Sequence, residues 1–121
     1  MNSRTFIQTF EFIKQWKRLG FDDEDLRRLE LEIMRHPEAA SIMEGTGGLR
    51  KMRFAFDGLG KSDSSRVCYV DFLLYKTVYL VTAYPKNKKE NLTKHERNEI
   101  KKVIALLEEQ IREKVGGEGD E

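Results

Sequence analysis

The stretch of sequence that decides the fold is residues 45–66, which read GTGGLRKMRFAFDGLGKSDSSR. A loop of three glycines is followed by alternating side chains, with Lys51 and Arg53 on one side and Met52 and Phe54 on the other. Alternation of this kind predicts a β-strand. Charged side chains are rarely buried in a core, so we expect Lys51 and Arg53 to face an anionic partner. A nucleic-acid backbone is the first candidate.

Charge along the chain is divided into a basic middle and two acidic flanks. The whole chain carries 22 Lys and Arg against 21 Asp and Glu, a net charge of +1. Residues 45–95 have a net charge of +6, whereas residues 1–44 and 96–121 have net charges of −2 and −3. A basic segment between acidic ones predicts a positive patch that attracts anionic partners. The alternative is that these cations only solvate one face of a sheet.

Hydrophobic spacing along the rest of the chain predicts an α+β protein. The pattern indicates a short strand at residues 5–9, helices over about 10–19 and after Asp22, and strands at 66–74 and 77–84. Thr93 and Glu96 have the capping-box spacing that starts a final helix. We therefore expect a compact fold with an N-terminal helix pair, an antiparallel twisted sheet of three to four strands and a C-terminal helix. Residues 1–115 form a single domain in this prediction, and residues 116–121 form a disordered acidic tail.

Composition disfavours several kinds of chemistry. With one cysteine, Cys68, and two histidines, the chain has no spacing typical of a metal site, and we expect neither a metal ion nor another cofactor. Residues 60–62, Gly-Lys-Ser, lack the earlier glycine and the following helix that a phosphate-binding loop requires. No stretch approaches the ~20 apolar residues of a membrane span. We expect a soluble, cytoplasmic protein.

The basic residues themselves suit phosphate chemistry on RNA. RNA carries its own nucleophile, the 2′-hydroxyl, so a protein that cleaves RNA must orient that group and stabilise charge on the phosphate oxygens. The arginine fork holds two phosphate oxygens, and a lysine crowded by other cations releases its proton more readily. We expect four cations to converge on one surface: Lys51, Arg53, Arg66 and Lys86. Tyr84 would share that face, where it either stacks on a base or serves as a core aromatic.

These segments resemble the type II toxins of the RelE/ParE superfamily, and most closely those of its HigB-like branch. The resemblance covers roughly residues 5–110. Its main segments are WKRL at 16–19, EGTGGLRKMRFA at 44–55, GKSDSSRV at 60–67 and LVTAYPKN at 80–87. The resemblance implies a RelE-like fold and a ribosome-dependent endonuclease that cleaves mRNA in the A site. It also implies neutralisation by a small antitoxin with a helix-turn-helix domain.

The resemblance further implies roles for individual residues. Lys51 and Arg53 correspond to strand cations that contact the phosphate and assist proton transfer. Arg66 corresponds to the arginine that stabilises the cleavage transition state, and Lys86 to the basic residue at the end of the last strand. Peripheral RNA contacts are expected from Arg50, Lys61 and Lys88.

Two questions stay open at the level of sequence. The general base is Lys51, Tyr84 or His95, because the C-terminal tyrosine that some members use has no counterpart here. Ser64 and Ser65 also stand where many members have glycine before the arginine. The alternative function is that of a ParE-like toxin, which inhibits a protein such as DNA gyrase without cutting RNA. An RNA-binding module without catalysis is a third possibility.

Overall fold

The structure, a computed structural model, describes residues 3–56, 64–88 and 92–119, with side chains described as far as residue 114. Three helices and five strands follow one another in these residues: β1 (Thr5–Gln8), α1 (Phe10–Arg18), α2 (Asp23–Arg35), β2 (Ser41–Ile42), β3 (Arg50–Phe54), β4 (Ser65–Phe72), β5 (Thr77–Tyr84) and α3 (Lys94–Gly119). A short 3-10 helix, Leu73–Tyr75, links β4 to β5. The α+β class predicted from the sequence is confirmed.

Each helix begins at a polar cap that is visible in the sequence. Thr9 precedes α1, and its hydroxyl accepts a hydrogen bond from a backbone amide of the first turn at 3.0 Å. Asp22 precedes α2 and forms a reciprocal capping box with Asp25, with both hydrogen bonds at 2.9 Å. Thr93 and Glu96 form the same reciprocal pair before α3, as their spacing predicts. These caps satisfy backbone donors that the first turn of a helix leaves without an internal partner.

The strands form one mixed sheet in the order β1-β5-β4-β3-β2. Neighbours from β2 to β5 are antiparallel, whereas β1 lies parallel to β5 along one edge. The sheet is therefore larger than the predicted three to four strands, and it is not wholly antiparallel. Short connections give antiparallel neighbours, but most of the chain separates β1 from β5, so that rule does not apply to this pair.

Helices cover both faces of the central strands. α1 and α2 pack on one face around Phe12, Trp16 and Ile33, and α3 packs on the other face through Ile104 and Ile111. Buried side chains of β4 alternate between these two clusters, as a strand with two buried faces requires. The central strands β4 and β5 are therefore covered on both sides.

The loop between β2 and β3 holds α3 against the sheet. Gly45 and Gly47 have φ angles of 79° and 78°, a region that favours glycine. A Cβ atom at Gly45 would lie 3.4 Å from Arg97 Cδ, and one at Gly47 would lie 3.3 Å from Lys101 Cγ. Thr46 between them is fully buried, and its hydroxyl donates to a carbonyl of the same loop at 2.6 Å. The glycines therefore allow the loop that leads into β3 to approach α3 closely.

α3 continues to Gly119, past the predicted domain boundary at residue 115. Residues 120 and 121 lie outside the described residues, and the disordered tail stays a prediction. The predicted turn over 57–63 also lies outside them. None of the described helices is long and apolar enough to cross a membrane.

Candidate functional site

Three of the predicted site residues lie in one row across the middle strands of the sheet. Arg53 on β3 is the direct cross-strand partner of Arg66 on β4, and Arg66 is in turn the partner of Tyr84 on β5. Directly opposed positions share a sheet face and hold their Cβ atoms about 4.5–5.5 Å apart. Lys51 lies two positions before Arg53 on β3 and so points to the same face. We call these four residues the strand-end cluster.

The strand-end cluster lies on the face of the sheet that α3 covers. Cys68, the cross-strand partner of Lys51, is buried in the core beneath α3, and Tyr84 packs against the same core. Lys51 and Arg66 are half-buried, and Arg53 is exposed. An anion bound here would therefore contact cations that are partly surrounded by protein, where charges attract more strongly than in bulk water.

The positive charges of the cluster receive no ion pair from the described part of the chain, whose ion pairs all lie elsewhere. Like charges directly opposite each other on neighbouring strands destabilise a sheet. The Arg53–Arg66 pair therefore costs stability in the isolated protein. This arrangement suits a site whose counter-charge is supplied by a bound anion.

Arg66 is oriented by the chain segment just before it. Its Nη1 group donates a hydrogen bond to the Ser64 carbonyl at 3.1 Å, and Ser64 is fully buried. A guanidinium has five N–H donors, so this bond positions the group while leaving donors for an anion. From the sequence, Ser64 stands out only as a departure from glycine. Every residue has a carbonyl, so no sequence signal could have revealed this contact.

Cys68 is an unreactive thiol beneath the cluster. It is 2% exposed, and burial raises its pKa to about 11, against the opposing effects of a side-chain hydrogen bond with Tyr84 and the charge of Lys51. The thiolate is the reactive form of cysteine, and it does not form here at neutral pH. Cys68 therefore packs as a small buried side chain.

Lys86 and Lys88 lie beyond the end of the sheet. Both are exposed in the turn that follows β5, in which the Lys88 amide donates to the Pro85 carbonyl at 3.1 Å. Because β5 ends at Tyr84, Lys86 follows the cluster along the chain but is not held by strand pairing. The structure therefore places both lysines just beyond the last paired residue of β5.

The remaining predicted residues do not join the cluster. Arg50 alternates to the opposite face from Lys51, and its Nη1 group donates to the carbonyls of Glu38 at 3.1 Å and Ala40 at 2.7 Å. Its guanidinium thus holds the segment between α2 and β2. His95 is exposed in the first turn of α3. Lys61 lies outside the described residues.

No protein-family model matches the chain, but solved structures share its architecture. A free E. coli toxin RelE with two arginine-to-alanine substitutions superposes with a TM-score of 0.51 and 14% identity, over 70% of this chain and 85% of that chain. The isolated E. coli RelE toxin gives a TM-score of 0.52 and 16% identity, over 73% of this chain and 89% of that chain. This chain has the RelE fold.

An archaeal RelE–RelB complex from Pyrococcus horikoshii OT3 aligns more loosely, with a TM-score of 0.42 and 21% identity over 74% of this chain and 100% of that chain. The RelE-like fold implied by the sequence resemblance is confirmed by the two E. coli structures. Identities this low establish the fold alone. The HigB-like branch and the roles of individual residues in this RelE fold stay predictions.

Proposed function

We propose that the protein is the toxin of a type II toxin–antitoxin system, from the HigB-like branch of the RelE/ParE superfamily. Its activity would be that of a ribosome-dependent endonuclease that cleaves mRNA in the A site and so inhibits translation. The observation that carries this proposal is the strand-end cluster, in which Arg53, Arg66 and Tyr84 are cross-strand partners and Lys51 shares their face.

In the proposed reaction, the 2′-hydroxyl of the RNA attacks the adjacent phosphorus while the 5′-oxygen of the next nucleotide leaves. The products are a 2′,3′-cyclic phosphate and a 5′-hydroxyl. The proton that the 2′-hydroxyl loses to a base is matched by one that the leaving 5′-oxygen gains, so the cleavage consumes neither water nor a cofactor. Arg53 and Arg66 would bind the non-bridging phosphate oxygens and stabilise the charge that develops on them. Because these side chains supply the positive charge, the proposed transesterification requires no metal ion.

The same reaction needs a base for the 2′-hydroxyl. Lys51 is our first candidate, because it shares the face of Arg53 and stands beside it on β3. Tyr84 is the second, because it lies in the row itself as the cross-strand partner of Arg66. His95, exposed on α3, is the third. A base must reach the proton it removes, which favours the first two.

Contacts around the cluster would extend the bound RNA. Lys86 and Lys88 follow β5, where their exposed ammonium groups would reach the phosphate backbone. Arg50 would first have to release the Glu38 and Ala40 carbonyls. The proposed partners are the ribosome with its bound mRNA and a small antitoxin with a helix-turn-helix domain, all in the cytoplasm.

The decisive experiment incubates the purified protein with mRNA-programmed ribosomes, and in parallel with the same mRNA alone, and maps the cut ends. We expect cuts at the A-site codon on the ribosome only. Arg66→Ala should lower the cleavage rate by about 100-fold or more, the size of effect seen when a donor to a developing charge is removed. Arg27→Ala is the matched control, because Arg27 is exposed on α2, on the opposite side of the sheet.

The alternatives predict other results. Cleavage by Arg66→Ala at the unmodified rate, from a folded protein, would refute the catalytic assignment. Growth arrest without RNA cleavage would favour a ParE-like inhibitor of a protein such as DNA gyrase. RNA binding that weakens in graded steps as cations are removed, without any cleavage, would indicate an RNA-binding module.

A further inference from the structure

A cavity of about 340 Å³ lies between the C-terminal part of α2, the segment 36–41 and the edge of β3. Ile33, Met52 and Tyr69 in its lining belong to the core beneath α2, so the cavity lies on the face of the sheet opposite to the strand-end cluster. Lys51 and Arg53 border it at the edge of β3. Within the described ranges, β2 pairs with β3 only at Arg50 and Lys51. The chain that precedes β2 therefore leaves β3 from Met52 onward, and the cavity lies in that gap.

The cavity combines apolar walls with a few polar groups. The half-buried Met52 supplies apolar surface, and the almost fully buried side chains of Ile33 and Tyr69 form the floor. The Tyr69 hydroxyl is occupied, because it donates to the Pro37 carbonyl at 2.8 Å. Besides Lys51 and Arg53, the lining contains the polar side chains of Glu32, His36 and Ser41. Such a lining suits a flat heterocycle, whose faces need apolar contact and whose edges need a few hydrogen-bonding groups.

We infer that this cavity takes one unpaired nucleobase of an RNA whose phosphate is bound by Lys51 and Arg53. The inference rests on the proposed function, since it assigns base recognition to the same RNA. The side chains of Lys51 and Arg53 belong to the face of the strand-end cluster, and the same two residues border the cavity. A nucleotide bound across the edge of β3 would thus place its phosphate on the cations and its base in the cavity.

Size and charge favour this occupant over others. The volume is at the small end of the range for ligand sites, about 300–1,000 Å³, which suits one base better than a larger ligand. An apolar side chain from a protein partner would pack against the walls but would leave Lys51 and Arg53 without a counter-charge. An RNA supplies the base and the counter-charge together.

Glu32 predicts which bases the cavity prefers. An ionised carboxylate accepts hydrogen bonds but does not donate them. Adenine, cytosine and guanine carry exocyclic amino groups that donate, whereas the pairing face of uracil has a single donor, N3–H, flanked by two carbonyl acceptors that a carboxylate repels. The cavity should therefore prefer an amino-bearing base over uracil. Glu32→Gln provides both a donor and an acceptor, so that preference should shrink in this variant.

Binding, rather than cleavage, tests the inference. The probe is a fluorescently labelled single-stranded hexaribonucleotide, compared at one low salt concentration with versions that carry a single abasic position. The protein is Arg66→Ala, which keeps Lys51 and Arg53 but should not cut the probe. We expect one abasic position to weaken binding about tenfold, as the loss of one stacked base does. Uracil at that position should bind more weakly than adenine, cytosine or guanine.

A second variant fills the cavity. Ala39 lines it and is exposed, so Ala39→Phe would occupy the space without overpacking the core. In the Arg66→Ala background, this variant should bind the intact probe only as well as its parent binds the abasic probe. Ala105→Phe is the matched control, because Ala105 is exposed on α3 and does not line the cavity. It should leave both affinities unchanged.

Equal affinity for the intact and abasic probes would overturn the inference, as would the absence of any binding at low salt. An unchanged affinity in Ala39→Phe would overturn it too, and if that variant lost a protein partner instead, the cavity would be a protein-binding site. Base-dependent binding by a protein that cuts no RNA on ribosomes has a different meaning. It would remove the proposed function and leave the cavity as a base-binding site.

Discussion

Arg53 and Arg66 face each other across β3 and β4, and the ion pairs of the described chain include neither of them. Directly opposed charges on neighbouring strands change stability by about 0.2–1 kcal/mol, with like charges unfavourable. We therefore expect Arg53→Gln to raise the free energy of unfolding by up to about 1 kcal/mol, while RNA cleavage falls. Urea denaturation at low salt, where repulsion is least screened, measures the first effect.

Arg27→Gln is the control for this prediction, because Arg27 is exposed on a helix and its replacement should change stability by no more than about 0.5 kcal/mol. A less stable Arg53→Gln protein would contradict the prediction, and would mean that Arg53 packs favourably despite its neighbour. A gain in stability together with a loss of activity is the trade-off expected of a binding site.

Arg4 and Asp71 form a buried ion pair. Their side chains are each 4% exposed, and Arg4 Nε lies 2.9 Å from Asp71 Oδ1. Removing one partner of a buried pair leaves an uncompensated charge, at a cost of about 3–5 kcal/mol. We expect Arg4→Met to lower the free energy of unfolding by about that amount in urea. Arg4→Met combined with Asp71→Leu should restore much of the loss.

The exposed pair Lys102–Glu99 is the comparison for the buried one. Its side chains are 74% and 54% exposed, and exposed pairs contribute about 0–1 kcal/mol. Lys102→Met should therefore have little effect. If the double replacement of Arg4 and Asp71 were no more stable than Arg4→Met alone, the buried charge would not be the cause of the loss.

Whether a contact in the site could be predicted depends on how far apart its residues are in the sequence. The alternation along β3 is local, so the shared face of Lys51 and Arg53 could be predicted. The alignment of Arg53 with Arg66 depends on the register across the long connection between β3 and β4, and that of Arg66 with Tyr84 depends on a register shift at Cys68/Tyr69. Local pattern fixes neither of them. The contacts of Arg50 with carbonyls before β2 are set by tertiary packing and could not be foreseen.

Among the elements, the glycine loop and α3 are fitted to each other. Gly47 has a φ of 78°, and a Cβ there would lie 3.3 Å from Lys101 Cγ. Gly47→Ala should therefore add backbone strain and push α3 outward, and we expect a loss of about 1–3 kcal/mol in urea-measured stability. Lys101→Ala removes the crowding but not the strain. Adding it to Gly47→Ala should recover only part of the loss.

A substitution at Gly48 distinguishes backbone strain from crowding against α3. Its φ is 114°, but a Cβ there would meet only ordinary contact, 3.9 Å from Val70 Cγ2. Gly48→Ala should therefore show backbone strain without displacement of α3, and Lys101→Ala should not rescue it. Rescue of both glycine variants, or of neither, would contradict the view that Gly47 serves the approach of α3.

The elements that short-range rules determine could be predicted, and the others could not. The caps at Asp22 and Thr93 mark helix starts because they satisfy local backbone donors. β2 has two residues, too few to show a period. The parallel pairing of β1 with β5 joins residues that most of the chain separates, such as Thr5 and Thr77, so local propensity has no bearing on it.

In the whole molecule, the two faces of the sheet have different roles. α1 and α2 cover one face with an aromatic core that includes Phe12, Trp16 and Phe54. The other face is shared between the apolar contact with α3 and the strand-end cluster. Packing of α1 and α2 on the first face holds the strands in register. That register in turn keeps the residues of the strand-end cluster opposite one another.

The dependence of RNA binding on salt tests whether the cluster, and not the surface in general, carries the affinity. The net charge of the chain is only +1, so attraction must be local. For single-stranded RNA, log K falls against log salt with a slope of about −0.7 per phosphate neutralised. Binding by four cations, Lys51, Arg53, Arg66 and Lys86, predicts a slope near −3 by the same relation. Titrations of a labelled oligoribonucleotide at several salt concentrations measure it.

Single replacements then show which cations contribute to RNA binding. Arg53→Ala should make the slope shallower by about 0.7, because one phosphate contact is lost. Arg27→Ala removes the same charge from an exposed position on α2, and should leave the slope unchanged. An equal change in both variants would mean that RNA is attracted by charge anywhere on the surface. The opposed pair of Arg53 and Arg66 would then make no special contribution to RNA binding. Their unfavourable pairing would have to have a structural cause instead.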